Sequence, residues 1–397
     1  MAGLAGAALA AVVAIAGCST RATVGSPSAG GLNQYFAVGS DRSNNSGPDE
    51  FTVSLDGESK YFSLENLTLN QLLSQTPTQG TFTAANGFYD LTALTGQYLV
   101  NGVNDSAEGP AVEIPGETAV LVSPPAALNS PSYPVFAVAS NQCSSLSGNN
   151  TFQFLELPLV AYSGTSPQPI YGSVQGTSTA NGDGSVAWKF SNFTTTTAGG
   201  VTTTTQTLPG GLCANSPASF GYAIGLSDES ADAAVSPSGF FAWWTAVGTL
   251  EHLGDGSCCT SQGYVGFVTP SSQMDTSTLV AGKYNGVELN AAGVSGPGSE
   301  LSRPVAFGAT AGSGTMMTGG VFPGDDTTQA PDSSISIDLG AQSATSNGFY
   351  PSVTVTIPDI PAPLSGVAIA GSPGSKDAVF VAAQDGLNTL YLFLYQQ

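Results

Sequence analysis

VAIAGSPGSKDAVFVAAQDGLNTLYLFLYQQ, residues 367–397, decides the fold class. Three short apolar runs, at 367–370, 378–383 and 390–394, are separated by Gly, Ser, Pro, Asp and Asn. Those separators supply the backbone conformations of tight turns, so the runs predict antiparallel strands joined by short connections. Working outward, the same pattern recurs. Tyr35-Phe36-Ala37-Val38, Phe51-Thr52-Val53-Ser54-Leu55, Thr118-Ala119-Val120-Leu121-Val122 and Val135-Phe136-Ala137-Val138 each lie between turn-forming clusters. Residues 151–157, 184–190 and 353–357 read likewise. Only residues 64–75, LENLTLNQLLSQ, have helical spacing. The expectation is an all-β, antiparallel protein of roughly two dozen short strands.

An internal repeat organises these strands. Asn86-Gly87-Phe88-Tyr89 recurs as Asn347-Gly348-Phe349-Tyr350, and each copy precedes a strand, a Pro/Gly turn and two apolar strands. Ser236-Pro237-Ser238-Gly239-Phe240-Phe241 gives a middle section a related ending. Tyr35-Phe36-Ala37-Val38, Tyr171-Gly172-Ser173-Val174 and Tyr284-Asn285-Gly286-Val287 read as related starts. Three β modules are therefore expected at 33–162, 168–271 and 280–397, since repeated units bury one another's faces. The hairpins around Pro237-Ser238-Gly239 and Pro373-Gly374 look like propeller blades. A propeller is slightly preferred, with tandem β-barrels or sandwiches as the alternative.

Composition excludes several partners. The 397 residues hold 7 Lys+Arg against 28 Asp+Glu, a formal charge of −21, and only 9% are charged. Seven scattered cations cannot neutralise the phosphates of a nucleic acid or an anionic lipid surface. With 41% apolar residues the chain still has material for a core, which an acidic disordered segment lacks.

The amino terminus reads as an export and anchoring signal. Residues 1–17, MAGLAGAALAAVVAIAG, are uncharged and run into Ile15-Ala16-Gly17-Cys18. An apolar run of that length suits a signal h-region and is short for a membrane span. The tetrapeptide resembles the lipobox of bacterial lipoproteins, in which the Cys is acylated and becomes the new amino terminus. No Lys or Arg precedes the run, unlike an ordinary export signal, so the chain is read as lacking the start of its leader. Residues 18–32 are then a flexible Ser/Thr/Gly/Pro tether. The mature chain as a whole is similar to a group of Gly/Ser/Thr-rich, lysine-poor, β-built bacterial lipoproteins. That resemblance implies a place in the cell envelope and a lipid-bilayer partner through acylated Cys18, and implies no chemistry. With Ser19 rather than Asp after the Cys, it further implies sorting to the outer membrane.

Cys143, Cys213, Cys258 and Cys259 remain, an even number suited to disulfides in an oxidising compartment. Spacing leaves three connectivities open. The lipoprotein resemblance implies Cys143 with Cys213 as the leading pair. Structural zinc is disfavoured by the lack of Cys-x-x-Cys and by a single histidine, His252.

Catalytic patterns are scarce. His252 has no Gly-x-Ser-x-Gly elbow to serve, and neither a phosphate loop nor a dinucleotide fingerprint occurs, so no cofactor is expected. Asp325, Asp326 and Asp332 cluster in GDDTTQAPD. They read first as a solvated turn and second as calcium ligands, because calcium takes several loop oxygens. Trp243 and Trp244 are adjacent and would face opposite sides of a strand. The functional expectation is a non-enzymatic, membrane-anchored binding or scaffolding protein with an envelope protein or glycan as ligand. The alternative is an envelope polysaccharide hydrolase using paired carboxylates, which would place two of them about 5–10 Å apart in one pocket.

Overall fold

The computed structural model describes residues 31–39, 49–66, 77–95, 108–122, 134–139, 151–157, 173–177, 179–180, 185–195, 201–214, 222–226, 229–245, 263–292, 300–308, 314–323, 326–332, 334–358, 360–385 and 388–397. Every strand pairing among them is antiparallel, as the turn chemistry predicts.

The first eight strands are β1 (Leu32–Gly39), β2 (Asp49–Asp56), β3 (Tyr61–Asn66), β4 (Thr78–Ala85), β5 (Phe88–Thr95), β6 (Glu108–Ile114), β7 (Thr118–Leu121) and β8 (Val135–Val138). Each pairs with the next, and β8 returns to β1 with Ala137 opposite Ala37, closing a barrel. The last eight repeat this circuit. They are β18 (Tyr284–Ala292), β19 (Glu300–Phe307), β20 (Met316–Val321), β21 (Ile335–Asp338), β22 (Phe349–Thr356), β23 (Leu364–Gly371), β24 (Ala378–Gln384) and β25 (Asn388–Gln396). Here β25 closes on β18, with Tyr284 opposite Gln396.

Between the barrels in chain order comes a nine-stranded sheet. Its strands are β9 (Thr151–Leu157), β10 (Ser173–Thr177), β11 (Thr179–Ala180), β12 (Ser185–Thr195), β13 (Val201–Ala214), β14 (Tyr222–Leu226), β15 (Glu229–Val235), β16 (Phe240–Thr245) and β17 (Gly263–Val268). Its edge strands, β10 and β11, are one residue apart in the chain, which limits the gap between those ends to about 7 Å. β10 also lies against β12, so the two edges meet. Counting β10 and β11 as one stretch, the middle sheet follows the eight-strand order of its neighbours. Its first strand is β9, which falls within residues 33–162 of the sequence-based division, and not the segment beginning at Tyr171.

The propeller preference is corrected to the barrel alternative. A propeller leaves each four-stranded blade with two edges. In both flanking sets the first strand hydrogen-bonds to the last, so neither set keeps an edge. The helical reading of 64–75 is corrected at its start. Leu64, Glu65 and Asn66 end β3, where Phe62 and Leu64 alternate into the barrel interior. Residues 67–75 lie outside the described residues. The one α-helix among the described residues, α1 (Thr276–Ala281), is capped by Asp275, whose side chain accepts from the Ser277 N–H.

Two kinds of core explain the sequence pattern. The lumen of the first barrel is filled by Tyr35, Phe51, Val53, Leu55, Phe62 and their neighbours. That of the second is filled by Tyr284, Val305, Ile337, Val355 and the β25 leucines, with Leu279 and Val280 of α1 packed among them. A third cluster lies outside both lumens and is shared by all three modules. Phe136, Phe240, Phe267, Phe380 and Phe393 meet there edge to face. β25 serves both cores: Leu390, Leu392 and Leu394 point into the lumen, and Tyr391, Phe393 and Tyr395 point into the shared cluster. A strand buried on both faces reads as a continuous apolar run, which is why 390–395 does so. β22, with one face toward water, alternates instead.

The three modules meet in related ways. The turn after β6 bears Glu117, whose carboxylate accepts from the Ser238 N–H and Oγ–H in the turn after β15. The turn after β23 completes the group, since a Cβ on Gly374 would lie 3.1 Å from that of Ser238. The Asn-Gly repeats form the seams. Asn285 of the second barrel donates to the Asn86 carbonyl of the first at 2.6 Å. Gln153 of the middle sheet donates to the Asn347 carbonyl of the second barrel, also at 2.6 Å. Phe88 and Phe349 enter the shared cluster, while Tyr89 and Tyr350 turn toward their own barrels.

Candidate functional site

The seam between the two barrels opens into a cleft of about 570 Å³. The β4–β5 turn forms one wall. Asn86 adopts φ 50° and Gly87 φ 81°, the left-handed pair that Asn-Gly supplies in a two-residue hairpin. The opposite wall comes from the start of β18, with Lys283, Tyr284 and Asn285, and from the 328–331 loop, with Gln397 beside them. Phe307 and Phe322 form the apolar floor, and Phe88 meets Phe322 edge to face at 5.1 Å.

Hydrogen bonds across the seam hold the walls apart at a fixed distance. Asn86 Nδ2 donates to the Thr327 carbonyl at 2.7 Å, and Thr327 Oγ1 donates to Asp90 at 2.7 Å. Asp326 accepts from the Thr328 hydroxyl, from Gln329 Nε2 and from the Thr328 N–H, folding the 326–329 turn back on itself. These donors hold the Asp326 carboxyl below its ordinary range. Asp332 accepts from the Val321 N–H at 3.1 Å and from the Ser334 hydroxyl. Of the three carboxylates that the sequence offered as calcium ligands, Asp326 thus serves its own turn and Asp332 ties its loop to the end of β20. No group of three His, Cys, Asp or Glu among the described residues is placed to hold a metal. Asp325 lies outside the described residues.

Two other carboxylates sit inside the barrels. Glu113 of β6 accepts from Asn33 Nδ2 at 3.0 Å and from the Tyr35 hydroxyl, while the Tyr35 oxygen accepts the Gly116 N–H. Burial raises the Glu113 carboxyl, and the donors from Tyr35, Tyr89 and Asn33 offset part of that rise. Burial beside Glu113 also raises both tyrosines. Glu288, fully buried in the second barrel, takes both its oxygens to Arg303 Nη2 at 3.0 Å. The two carboxylates belong to different lumens and form no pair of the kind glycoside hydrolysis uses.

Cys18, Cys143, Cys258, Cys259 and His252 lie outside the described residues. Cys213 sits in β13 opposite Ile224. Trp243 and Trp244 occupy β16 opposite Ala233 and Asp232. Sequence reasoning singled out the Asn86-Gly87 turn and the loop holding Asp326 and Asp332, and the structure brings them to one cleft. It gave Asn285 only as part of a repeated start and missed Lys283, Gln329 and Gln397. The available signal was that Lys283 is one of only seven cations and directly precedes the Tyr284 start motif.

No protein-family model and no curated protein matches the chain. Among solved structures, the chain is similar to the isotype 1 transferrin binding protein B of serogroup B Neisseria meningitidis. Identity is 11% and TM-score 0.27, over 88% of this chain and 65% of that one, so the chain spans less than two thirds of its length. It is also similar to a double mutant of transferrin binding protein B from Haemophilus parasuis Hp5. There identity is 8% and TM-score 0.30, over 94% of this chain and 76% of that one. At these scores no residue role passes from those proteins to this chain.

Proposed function

We propose that the protein is a lipid-anchored binding or scaffolding protein of the bacterial cell envelope, held by acylated Cys18 and acting without catalysis. The observation that carries the binding half is the filling of both closed lumens. Tyr35, Phe51 and Phe62 in one, and Tyr284 and Tyr350 in the other, are at most 1% exposed. A filled eight-stranded barrel holds no ligand inside it, so a partner meets the seams and loops on the outer surface. The shared aromatic cluster ties the modules into one body, which presents such a surface with little ordering cost on binding.

The anchoring half rests on Ile15-Ala16-Gly17-Cys18 and on the tether to residue 32. Acyl chains contribute about 0.8 kcal/mol per buried methylene, and two or more hold a protein firmly without a transmembrane helix. Ser19 after the Cys favours the outer membrane as destination. The test is metabolic labelling with radiolabelled palmitate, using the chain behind a complete signal. Cys18→Ala should abolish labelling and release the protein from the membrane fraction, and labelling that persists overturns the reading.

A further inference from the structure

We propose that two copies of this chain associate through the open edge of β13, pairing antiparallel about a two-fold axis within residues 202–205. The inference goes beyond the binding reading above and does not depend on the anchor. β12 and β13 pair without a break from Trp188 opposite Leu208 to Thr195 opposite Val201. On its other side β13 pairs with β14 only at Cys213 opposite Ile224 and Ala214 opposite Ala223. Continued antiparallel, that register brings Leu226, the last residue of β14, opposite Gly211. Residues 201–208 therefore have no second partner strand among the described residues, which leaves a free edge about 27 Å long. β12, by contrast, has β11 paired to it and β10 beside it.

The edge is unguarded. Natural sheets protect free edges with charges, proline, bulges or very short strands. Residues 201–208, VTTTTQTL, hold no charge, Pro or Gly, and the register shift of this hairpin lies away from them, between Val186 and Trp188. Both flanking barrels close and have no such edge. A long bare edge is a template for another strand, because its outward N–H and C=O groups lack partners.

Charge and self-complementarity make the second copy the occupant. No Asp, Glu, Lys, Arg or His lies between Lys189 and Asp228, in a chain of formal charge −21. Two such chains repel one another, and least where the meeting segments are neutral. A two-fold axis brings the alternating donors and acceptors of one antiparallel edge onto the same set in its copy. With that axis between Thr203 and Thr204, Thr202 faces Thr205 and Thr203 faces Thr204, and Thr–Thr pairs favour antiparallel sheets. A foreign strand would gain the same main-chain bonds but draws its selectivity from side-chain pockets, which the self-matching threonines do not need.

The test is sedimentation velocity of the full mature chain carrying Cys18→Ser, in reducing buffer, so that neither acyl chains nor disulfides join the copies. A reversible dimer should be populated at about 100 μM. Adjacent residues of a strand turn their N–H groups to opposite edges, so one of Thr203→Pro and Thr204→Pro removes an outward donor and spares the ladder to β12. That variant should keep its circular dichroism spectrum and weaken the dimer about tenfold or more. Thr204→Lys, which sets like charges beside the axis, should do the same without removing any backbone donor. Amide exchange in peptides covering 201–208 should slow as the concentration rises, and Thr204→Lys should abolish that slowing. If both proline variants unfold, Thr204→Lys and the exchange measurement decide. A monomer at about 100 μM, or a dimer that Thr204→Lys leaves unchanged, overturns the proposal. A dimer in which the 201–208 amides exchange as fast as in the monomer places the interface elsewhere and overturns it too. Palmitate labelling plays no part in this assay, so failure of the anchoring reading leaves its result unaffected.

Discussion

Asn285 reaches across the barrel–barrel seam and donates its side-chain amide to the backbone carbonyl of Asn86 at 2.6 Å. Asn285 is 4% exposed, so the carbonyl it serves has little water to replace it. Asn285→Ala should cost about 1–3 kcal/mol, the penalty for leaving a buried polar group unpaired. The urea midpoint should fall with an unchanged slope. No shift would mean that water serves that carbonyl equally well.

The two Asn-Gly turns differ in what surrounds the glycine. Gly87 and Gly348 have φ of 81° and 72°, where an L side chain costs about 1–2 kcal/mol. A Cβ at Gly348 would also sit 2.1 Å from the Ala370 carbonyl oxygen, which is backbone of an adjacent strand. At Gly87 the neighbours are side chains, the end of Gln397, which can swing away, and Asn285 Nδ2 at 2.5 Å, which can shift only by loosening its bond to Asn86. Gly348→Ala should therefore be the more destabilising, by roughly 1 kcal/mol or more. Thermal unfolding of the two variants ranks them, and a reversed order would contradict this account.

Glu113 should make stability depend on pH with a definite sign. Its folded carboxyl is raised by burial, so the unfolded chain ionises first as pH rises. Above the ordinary glutamate value of about 4.3 the folded state holds the extra proton, and stability falls until the folded group ionises too. Glu113→Gln removes that loss. The difference between wild-type and variant stability should shift toward the variant as pH rises from about 4.3 through the raised folded value. Urea denaturation at a series of pH values measures it, and parallel curves would exclude the burial assigned to Glu113.

Glu288 is 0% exposed and Arg303 supplies its cation. Removing one partner of a buried pair costs about 3–5 kcal/mol, whereas replacing both with apolar residues of like volume is often neutral. Arg303→Met should fall at the low end, because the Arg303 side chain is 30% exposed. Glu288→Leu with Arg303→Met should recover most of the loss. A double variant as unstable as the single one would show that the pair is needed for more than charge compensation.

What the sequence determined by itself is local. Strand and turn follow from short apolar runs broken by Gly, Pro, Asn and Asp, because backbone conformational preference acts over a few residues. The Asn-Gly-Phe-Tyr repeat was legible for the same reason, since Asn86-Gly87 needs left-handed geometry wherever it stands. Closure was not legible. Whether β8 returns to β1, or β25 to β18, is decided by the twist and stagger of eight strands together and by which lumen side chains fill the space, as Tyr35 and Tyr284 do. Residues 64–66 show the same limit, since a helical spacing of leucines yields to a strand once Phe62 and Leu64 can share a barrel interior. The cleft, too, belongs to tertiary structure alone. Lys283, Asn86 and Gln329 are far apart along the chain, and they meet because aromatic residues on the outer faces of two barrels exclude water and bring those barrels together.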